Sequence, residues 1–433
     1  MYTLSLIGAG YVGLVTAACF AELGYKVFCV DNDKAKIRDL KKGIIPIYEP
    51  GLAELITKNR KQKRLFFVND IKTAVRQSDI VFICVGTPSR PDGSADLSAV
   101  EKVASEIARS MKSYKVIVEK STVPAETGEK IVRTIEMNKP RSVDFDIVSN
   151  PEFLREGQAI EDTLRPDRIV IGVESKRAEK IMRELYKPIK APLIVTNINT
   201  AEIIKHASNS FLATKISFIN AIASLCDRLG ADVEKVADAM GLDKRIGRAF
   251  LNAGAGFGGS CFPKDVDAFI HLAQQKGYDF ELLKTVRKIN HDQQALIVKK
   301  IEEALWIIQD KTIAVLGLSF KPDTDDIRSS VPIEVIKLLQ HAGARIKAYD
   351  PQAMPRAQKE LKRVVFCKNE YDAADDADCL LIMTEWKDFR NLDLMKIKRM
   401  LRQPVIVDGR NMFEPDKMRK IGFVYKCVGR GLP

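Results

Sequence analysis

The stretch that most constrains the fold is "TLSLIGAGYVGLVTAACFAELGYKVFCVD", residues 3 to 31. An apolar run, a glycine turn, an apolar segment of helical length and a second apolar run ending in an acid predict strand, turn, helix and strand in that order. Gly8, Gly10 and Gly13 form a GxGxxG pattern, and Asp31 follows 18 residues after Gly13. The pattern alone is common. Between a strand and a helix, with a carboxylate ending the next strand, it is a dinucleotide fingerprint. Gly8 allows the tight turn, Gly10 lets a pyrophosphate approach the backbone, and Gly13 lets the helix pack. Tyr11 and Val12 open the helix, whose N-terminal dipole faces the phosphates. Asp31 would accept from ribose hydroxyls and repel a 2′-phosphate, so NAD is expected rather than NADP. A glycine turn in another kind of α/β sheet is the other reading.

Three later apolar runs end in loops of unusual chemistry. "IVFICV" leads into "GTPSRPDGS", "KVIVEK" into "STVPAET", and "DIVS" into "NPEFLREG". Ligands of doubly wound sheets bind beyond the carboxyl ends of the strands. Thr87, Thr122, Glu152 and Glu156 are therefore candidate site residues, although each alone could be an ordinary turn or helix cap.

The first unit has a partial echo late in the chain. "TIAVLGLSF" at 312–320 and "AGARIKAYDP" at 342–351 repeat its strands, but "FKPDTDDIR" stands where the glycine turn would be. This predicts a second α/β unit without its own dinucleotide. Its turn carries Lys321, Asp325, Asp326 and Arg328, which fit a phosphate or a partner domain better than a bare solvated turn. Between the units, residues 199–229 contain neither glycine nor proline and read as one helix, about 45 Å long at ~1.5 Å per residue. Lys205 and Asn209 lie one helical turn apart in it. Such a helix serves packing or dimerisation, and these two polar groups on one face also suit a site. The expected fold class is α/β: two Rossmann-like doubly wound domains joined by a helical domain with one long helix. The expected boundaries are 1–197, 198–305 and 306–433.

The segment "GFGGSCFPKD", residues 256–265, sets Cys261 among glycines with Lys264 and Asp265 close behind. Glycines let a ligand approach, and a cation or helix N-terminus would favour the thiolate of a nucleophile. A small packing cysteine in a turn is the other reading. The remaining seven cysteines have no metal-binding spacing and several lie in apolar runs, which predicts reduced thiols, a cytoplasmic protein and no metal site. No run approaches the ~18 apolar residues of a membrane span. The net charge of +12 is dispersed. Even "KNRKQKR" at 58–64 reads as the solvated end of a helix, so nucleic acid is not an expected partner, whereas anionic metabolites are.

In this order the motifs "GAGYVGLV", "GTPSRPDGSADLS", "EKSTVPAET", "SNPEFLREG", "AEIIKHASNSFLATKISFINAIA", "GFGGSCFPKD" and "GLSFKPDTDDIRSS" resemble the UDP-glucose/GDP-mannose dehydrogenase family over essentially the whole chain. The resemblance implies an NAD-dependent enzyme, dimeric through the long helix, that oxidises the C6 alcohol of a nucleotide sugar twice to a carboxylate. It makes Cys261 the nucleophile that captures the intermediate aldehyde and Lys205 the stabiliser of the oxyanions. Asp265, Asn209 and Thr122 would manage water and protons, and Glu152 thioester hydrolysis. Toward NAD it assigns Val12, Asp31, Lys36, Thr87, Thr122, Glu156, Lys264 and Arg328. Toward the nucleotide sugar it assigns Glu152, Phe153, Leu154, Arg155 and Glu156 from one loop and Lys205 and Asn209 from the helix. Phe250, Leu251, Asn252, Phe257, Gly258 and Lys321 complete that group, with Arg248 reaching across the dimer. UDP-glucose is the expected substrate, with GDP-mannose or a UDP-N-acetylhexosamine as alternatives. A one-step hydroxyacid-type dehydrogenase would share the Lys205 and Asn209 spacing but leave Cys261 without work. A non-catalytic binder would form no NADH.

Overall fold

The computed structural model describes residues 1–431. The chain divides into two compact units, one of residues 1–208 with 267–278, the other of 209–266 with the chain from 279 onward. The first holds β1 (Thr3–Ile7), β2 (Lys26–Val30), β3 (Leu65–Val68), β4 (Ile80–Ile83), β5 (Lys115–Glu119), β6 (Phe145–Ser149), β7 (Ile169–Val173) and β8 (Leu193–Thr196). They form one sheet in the order β3-β2-β1-β4-β5-β6-β7-β8. From β3 to β6 all pairs are parallel, so the loops after β1, β4, β5 and β6 emerge at one edge, as expected. β7 runs antiparallel to β6.

Both faces of this sheet are covered, which is why its central strands are apolar without alternation: Ile80, Val81, Phe82 and Ile83 are all fully buried. Leu4, Leu6, Val27 and Phe82 pack with Phe20 in one core. Ile7, Val30, Val81 and Ile83 pack with Val100 and Ile107 in the other.

The second unit holds β9 (Thr312–Leu316), β10 (Arg345–Tyr349), β11 (Val364–Phe366), β12 (Cys379–Ile382), β13 (Val405–Asp408) and β14 (Val424–Cys427). Their order, β11-β10-β9-β12-β13-β14, repeats the β3-β2-β1-β4-β5-β6 part of the other sheet, and every pair is parallel. The late echo in the sequence is thus a second doubly wound sheet. At its turn the buried Asp350 carboxylate accepts the amides of Leu318 at 2.7 Å and Ser319 at 3.0 Å and the Trp386 indole N–H at 3.2 Å. A Cβ on Gly317 would lie 2.4 Å from Thr384. This turn is packed by its own chain.

The long helix runs Ile198–Leu229, 32 residues without a break. Its residues up to 208 belong to the first unit and those from 209 to the second. The basic run at 58–64 is less free than its composition suggests. Asn59 is buried, Arg60 donates to the Lys41 carbonyl at 2.5 Å, and Lys58 pairs with Glu22 at 2.5 Å. These side chains tie elements of the first unit together.

Candidate active site

In the first unit the three glycines of the opening turn do different things. Gly8 has φ +110°, and a Cβ there would lie 2.4 Å from the Cys84 carbonyl oxygen. A Cβ on Gly13 would lie 1.8 Å from the Gly8 carbonyl oxygen. On Gly10 it would meet nothing within 4 Å. Two glycines are demanded by packing and the third keeps open space against the backbone, which fits the approach of a dinucleotide pyrophosphate. The helix Tyr11–Glu22 begins at this point, with Tyr11 and Val12 in its first turn and no side chain capping it from Gly10. Asp31 ends β2. Burial pushes its carboxyl up, but hydrogen bonds from Lys36 and from the amides of Asp33 and Ala9 outweigh that and hold it below the usual range. Lys36 Nζ stands 2.9 Å from Asp31.

The loops beyond β4, β5 and β6 meet at the same edge. Thr87 Oγ1 donates to the Thr122 carbonyl at 2.8 Å, joining two of them. After β6, Glu152 Oε2 accepts the Leu154 amide at 2.7 Å, and Oε1 accepts Lys205 Nζ at 2.9 Å. Both partners of this ion pair are more than nine-tenths buried. Lys205 also stands 5.4 Å above the Phe153 ring, which Arg168 faces at 3.7 Å. Arg155 is turned toward Asp162, 2.7 Å away, and Glu156 is buried.

Glu49, which sequence reasoning passed over, organises this edge. Its buried carboxylate accepts the Tyr11 hydroxyl, the Gly157 amide at 2.6 Å and the Ala159 amide at 2.8 Å. It thereby ties the first turn of the glycine-turn helix to the loop that carries Glu152.

Beneath the Thr122 loop lies Glu202, accepting the Glu126 amide at 2.8 Å and the Gly128 amide at 2.9 Å. Burial raises its carboxyl from 4.5 to about 7 despite those amides, and burial with the nearby Glu202 charge also raises Glu119. A carboxyl raised in the folded state binds its proton there while the unfolded chain has released it. Its stabilisation is therefore complete below about pH 4.5 and lost as pH rises to about 7. Glu202→Gln should flatten that part of the stability curve by the order of 1–3 kcal/mol. Denaturant melts of both proteins across that window check this. A constant difference between them would contradict it.

In the second unit, Cys261 is the half-buried one of eight free cysteines, the other seven being buried. Burial pushes the thiols of Cys19, Cys84, Cys379 and Cys427 up to about 12, which leaves them inert. Cys261 directly precedes the helix Phe262–Gln275, and its carbonyl accepts the Asp265 amide at 2.8 Å. The sulfur therefore sits at a helix N-terminus, where a thiolate is favoured. Asp265 is fully buried and accepts Asn209 Nδ2 at 2.6 Å and Lys264 Nζ at 2.6 Å.

The glycine loop before Cys261 is fitted to the second sheet's turn. A Cβ on Gly258 would lie 2.2 Å from the Ser329 carbonyl oxygen, and one on Gly259 2.6 Å from the Phe320 ring. Phe257 is gripped by Asn290, which accepts its amide at 2.7 Å and donates to its carbonyl at 2.9 Å. Arg410 Nη1 reaches the Gly256 carbonyl at 3.3 Å. Neither Asn290 nor Arg410 carried a sequence signal, because each is a lone polar residue far along the chain. Of the charged turn, Arg328 is paired with Asp326 at 2.6 Å, and Lys321 lies over Phe320. Arg248 is held within its own chain by Asp238 at 2.7 Å, Glu234 at 2.9 Å and Asn252 at 2.6 Å. Phe250 has φ +64° and Leu251 is buried beside it.

The first unit thus gathers Gly8, Gly10, Tyr11, Val12, Gly13, Asp31, Lys36, Thr87, Thr122, residues 152–156 and Lys205. The second gathers Asn209, Arg248, residues 250–252, Phe257, Gly258, Cys261, Lys264, Asp265, Lys321 and Arg328.

Three family models match in chain order. They are the NAD binding domain of the UDP-glucose/GDP-mannose dehydrogenase family over residues 2–190, its central domain over 199–292 and its UDP binding domain over 314–415. UDP-glucose 6-dehydrogenase TuaD of Bacillus subtilis (strain 168) is 51% identical over 431 residues, covering 99% of this chain and 94% of that protein. UDP-glucose 6-dehydrogenase of Rhizobium meliloti (strain 1021) is 49% identical, covering 99% of each. Among solved structures, a UDP-glucose dehydrogenase from the hyperthermophilic archaeon Pyrobaculum islandicum superposes with a TM-score of 0.93 at 41% identity, over 98% of this chain and 97% of that one. With matching models along both sheets and the helical segment between them, this chain belongs to the UDP-glucose/GDP-mannose dehydrogenase family.

Proposed function

We propose that the chain oxidises UDP-glucose at C6 to UDP-glucuronate in two NAD-dependent steps, through a thioester on Cys261. The observation that carries this reading is the placement of Cys261, a half-buried thiol at a helix N-terminus on a glycine loop, beside seven buried and inert ones. NAD, when bound, accepts the hydride of each step. Lys205, already desolvated against Glu152 and Phe153, is suited to hold the alkoxide left when the C6 hydroxyl gives up its proton. The Cys261 thiolate adds to the resulting aldehyde, and the tetrahedral thiohemiacetal loses the second hydride to become a thioester. Water then attacks the thioester carbonyl, the C–S bond breaks, and carboxylate and thiolate separate. In this reading Glu152 takes that water's proton, and Asp265 with Asn209 and Thr122 moves protons in the earlier steps. Across the whole reaction, one alcohol, one water and two NAD give one carboxylate, two NADH and three protons.

The remaining carried-over residues serve binding in this reading. Asp31 and Lys36 receive the adenosine ribose, with Thr87, Glu156, Lys264 and Arg328 along the cofactor. Phe153, Leu154, Arg155, Phe250, Leu251, Asn252, Phe257, Gly258 and Lys321 face the nucleotide sugar. A panel of nucleotide sugars with NAD and NADP tests it. UDP-glucose with NAD should be oxidised at least tenfold faster than GDP-mannose, UDP-N-acetylhexosamines or any NADP reaction. Equal rates with NADP, or preference for another sugar, would overturn the assignment.

The protein is read as a cytoplasmic homodimer. Among the described residues no helix is long and apolar enough to cross a membrane, and eight free thiols suit a reducing compartment. Phe211, Phe218 and Leu225 recur every seventh residue along the long helix and are 65%, 48% and 50% exposed. A heptad stripe of this kind is covered by a second helix. Phe218→Asp should convert a dimer to a monomer in light scattering. An unchanged mass would place the dimer contact elsewhere.

A further inference from the structure

Lys120 belongs to the "EKST" motif, yet neither the cofactor nor the sugar chemistry above uses it. It stands one residue beyond β5, is buried, and carries its ammonium into the interior of the first unit. Nζ donates to Asn150 Oδ1 at 3.1 Å and to the Asn150 carbonyl at 3.4 Å. Asn150 is one residue beyond β6 and is bonded on every side. Its amide donates to the Glu119 carbonyl at 2.8 Å, its Nδ2 to the Val170 carbonyl at 2.8 Å, and its Oδ1 also accepts the Tyr186 hydroxyl at 2.5 Å. Pro151 and Glu152 follow directly, so whatever fixes Asn150 fixes where the Glu152 carboxylate begins.

A buried lysine bonded chiefly to a neutral amide is costly unless a charge nearby compensates it. Burial pushes the Lys120 ammonium down, the Glu152 carboxylate holds it up, and Lys205 opposes it. Lys120 thus belongs to one electrostatic group with the Glu152 and Lys205 pair, approaching from β5 while Lys205 approaches from the long helix. The Tyr186 bond would keep Asn150 in place if only packing were required. The second ammonium adds charge.

We propose that Lys120 is a positioning residue for the last chemical step, fixing Glu152 through Asn150 and through its charge so that the carboxylate can take a proton from the water that cleaves the thioester. This rests on the reading of Cys261 and Glu152 given above. Lys120 touches neither cofactor nor sugar in this assignment, so its loss should leave KM for both unchanged and slow only acid release.

The test uses the full-length enzyme with NAD and UDP-glucose. Lys120→Met fills the same space without charge, and Lys120→Gln keeps a donor for Asn150 without charge. Both should show a burst of two NADH per active site, then a steady rate at least tenfold below that of the wild type. A sugar acyl adduct on Cys261 should accumulate in intact-protein mass spectra, with KM values within twofold of wild type. Glu152→Gln, measured alongside, separates the two claims. If it too gathers adduct while both Lys120 variants turn over like wild type, Lys120 has no part in hydrolysis. If Glu152→Gln gathers none, the assignment of Glu152 fails and the Lys120 proposal falls with it. Should Lys120→Met not fold, Lys120→Gln gives the same decision. Adduct in Met but not in Gln would assign the effect to the hydrogen bond and overturn the role of charge.

Discussion

Cys261→Ser is expected to abolish uronate formation, lowering its rate on the order of a thousandfold or more, the scale on which loss of an activated nucleophile registers. The serine hydroxyl fits the same glycine loop, and the helix Phe262–Gln275 keeps its start. What is lost is an ionisable sulfur at a helix N-terminus. A hydroxyl is far less ionised at neutral pH and a poorer leaving group, so the second oxidation and its hydrolysis both stall. The variant should give about one NADH or less per active site, with free aldehyde or trapped sugar as its product. NADH counting and intact-protein mass read this directly. A serine variant that makes acid at near wild-type rate would reduce Cys261 to a packing residue and favour a one-step dehydrogenase.

The second large effect is expected at Lys205. Lys205→Ala removes the donor proposed to hold developing oxyanion charge, a loss expected to be about 10²–10³ in kcat, while UDP-glucose binding should change little. The same change strands the buried Glu152 carboxylate, and breaking a buried pair from one side costs about 3–5 kcal/mol of stability. The two consequences can be separated. Removing both charges in Lys205→Met with Glu152→Gln should restore much of the stability and none of the turnover. Calorimetric binding, melting curves and initial rates on the wild type and both variants measure this. A Lys205→Ala enzyme with full activity would return the lysine to a structural role.

What the sequence made legible follows from where the determinants lie. The first turn could be read from residues 3–31 because glycines, strand, helix and Asp31 are contiguous, and the structure gives Gly8 and Gly13 separate steric reasons while leaving the space at Gly10 open. The second sheet could be read as a broken copy for the same reason. The antiparallel course of β7 could not, since "RIVIGV" announces a strand and not its direction. Lys205 and Asn209 were visible as a pair by helical spacing. Their partners Glu152 and Asp265 are 53 and 56 residues away, and no local pattern reports such a contact. Glu49, Asn290, Arg410 and Lys120 went unread for that same reason: each acts by reaching amides, carbonyls or side chains that only the fold brings near. The intrachain partners of Arg248, namely Asp238, Glu234 and Asn252, likewise lie at spacings that no local pattern reports.

The most direct measurement of the central claim is the ratio of NADH formed to UDP-glucose consumed by the unmodified enzyme, followed to completion with excess NAD. The account predicts two NADH for each UDP-glucose and a uronate as the only sugar product. A ratio of one, with an aldehyde or ketone accumulating, would contradict it.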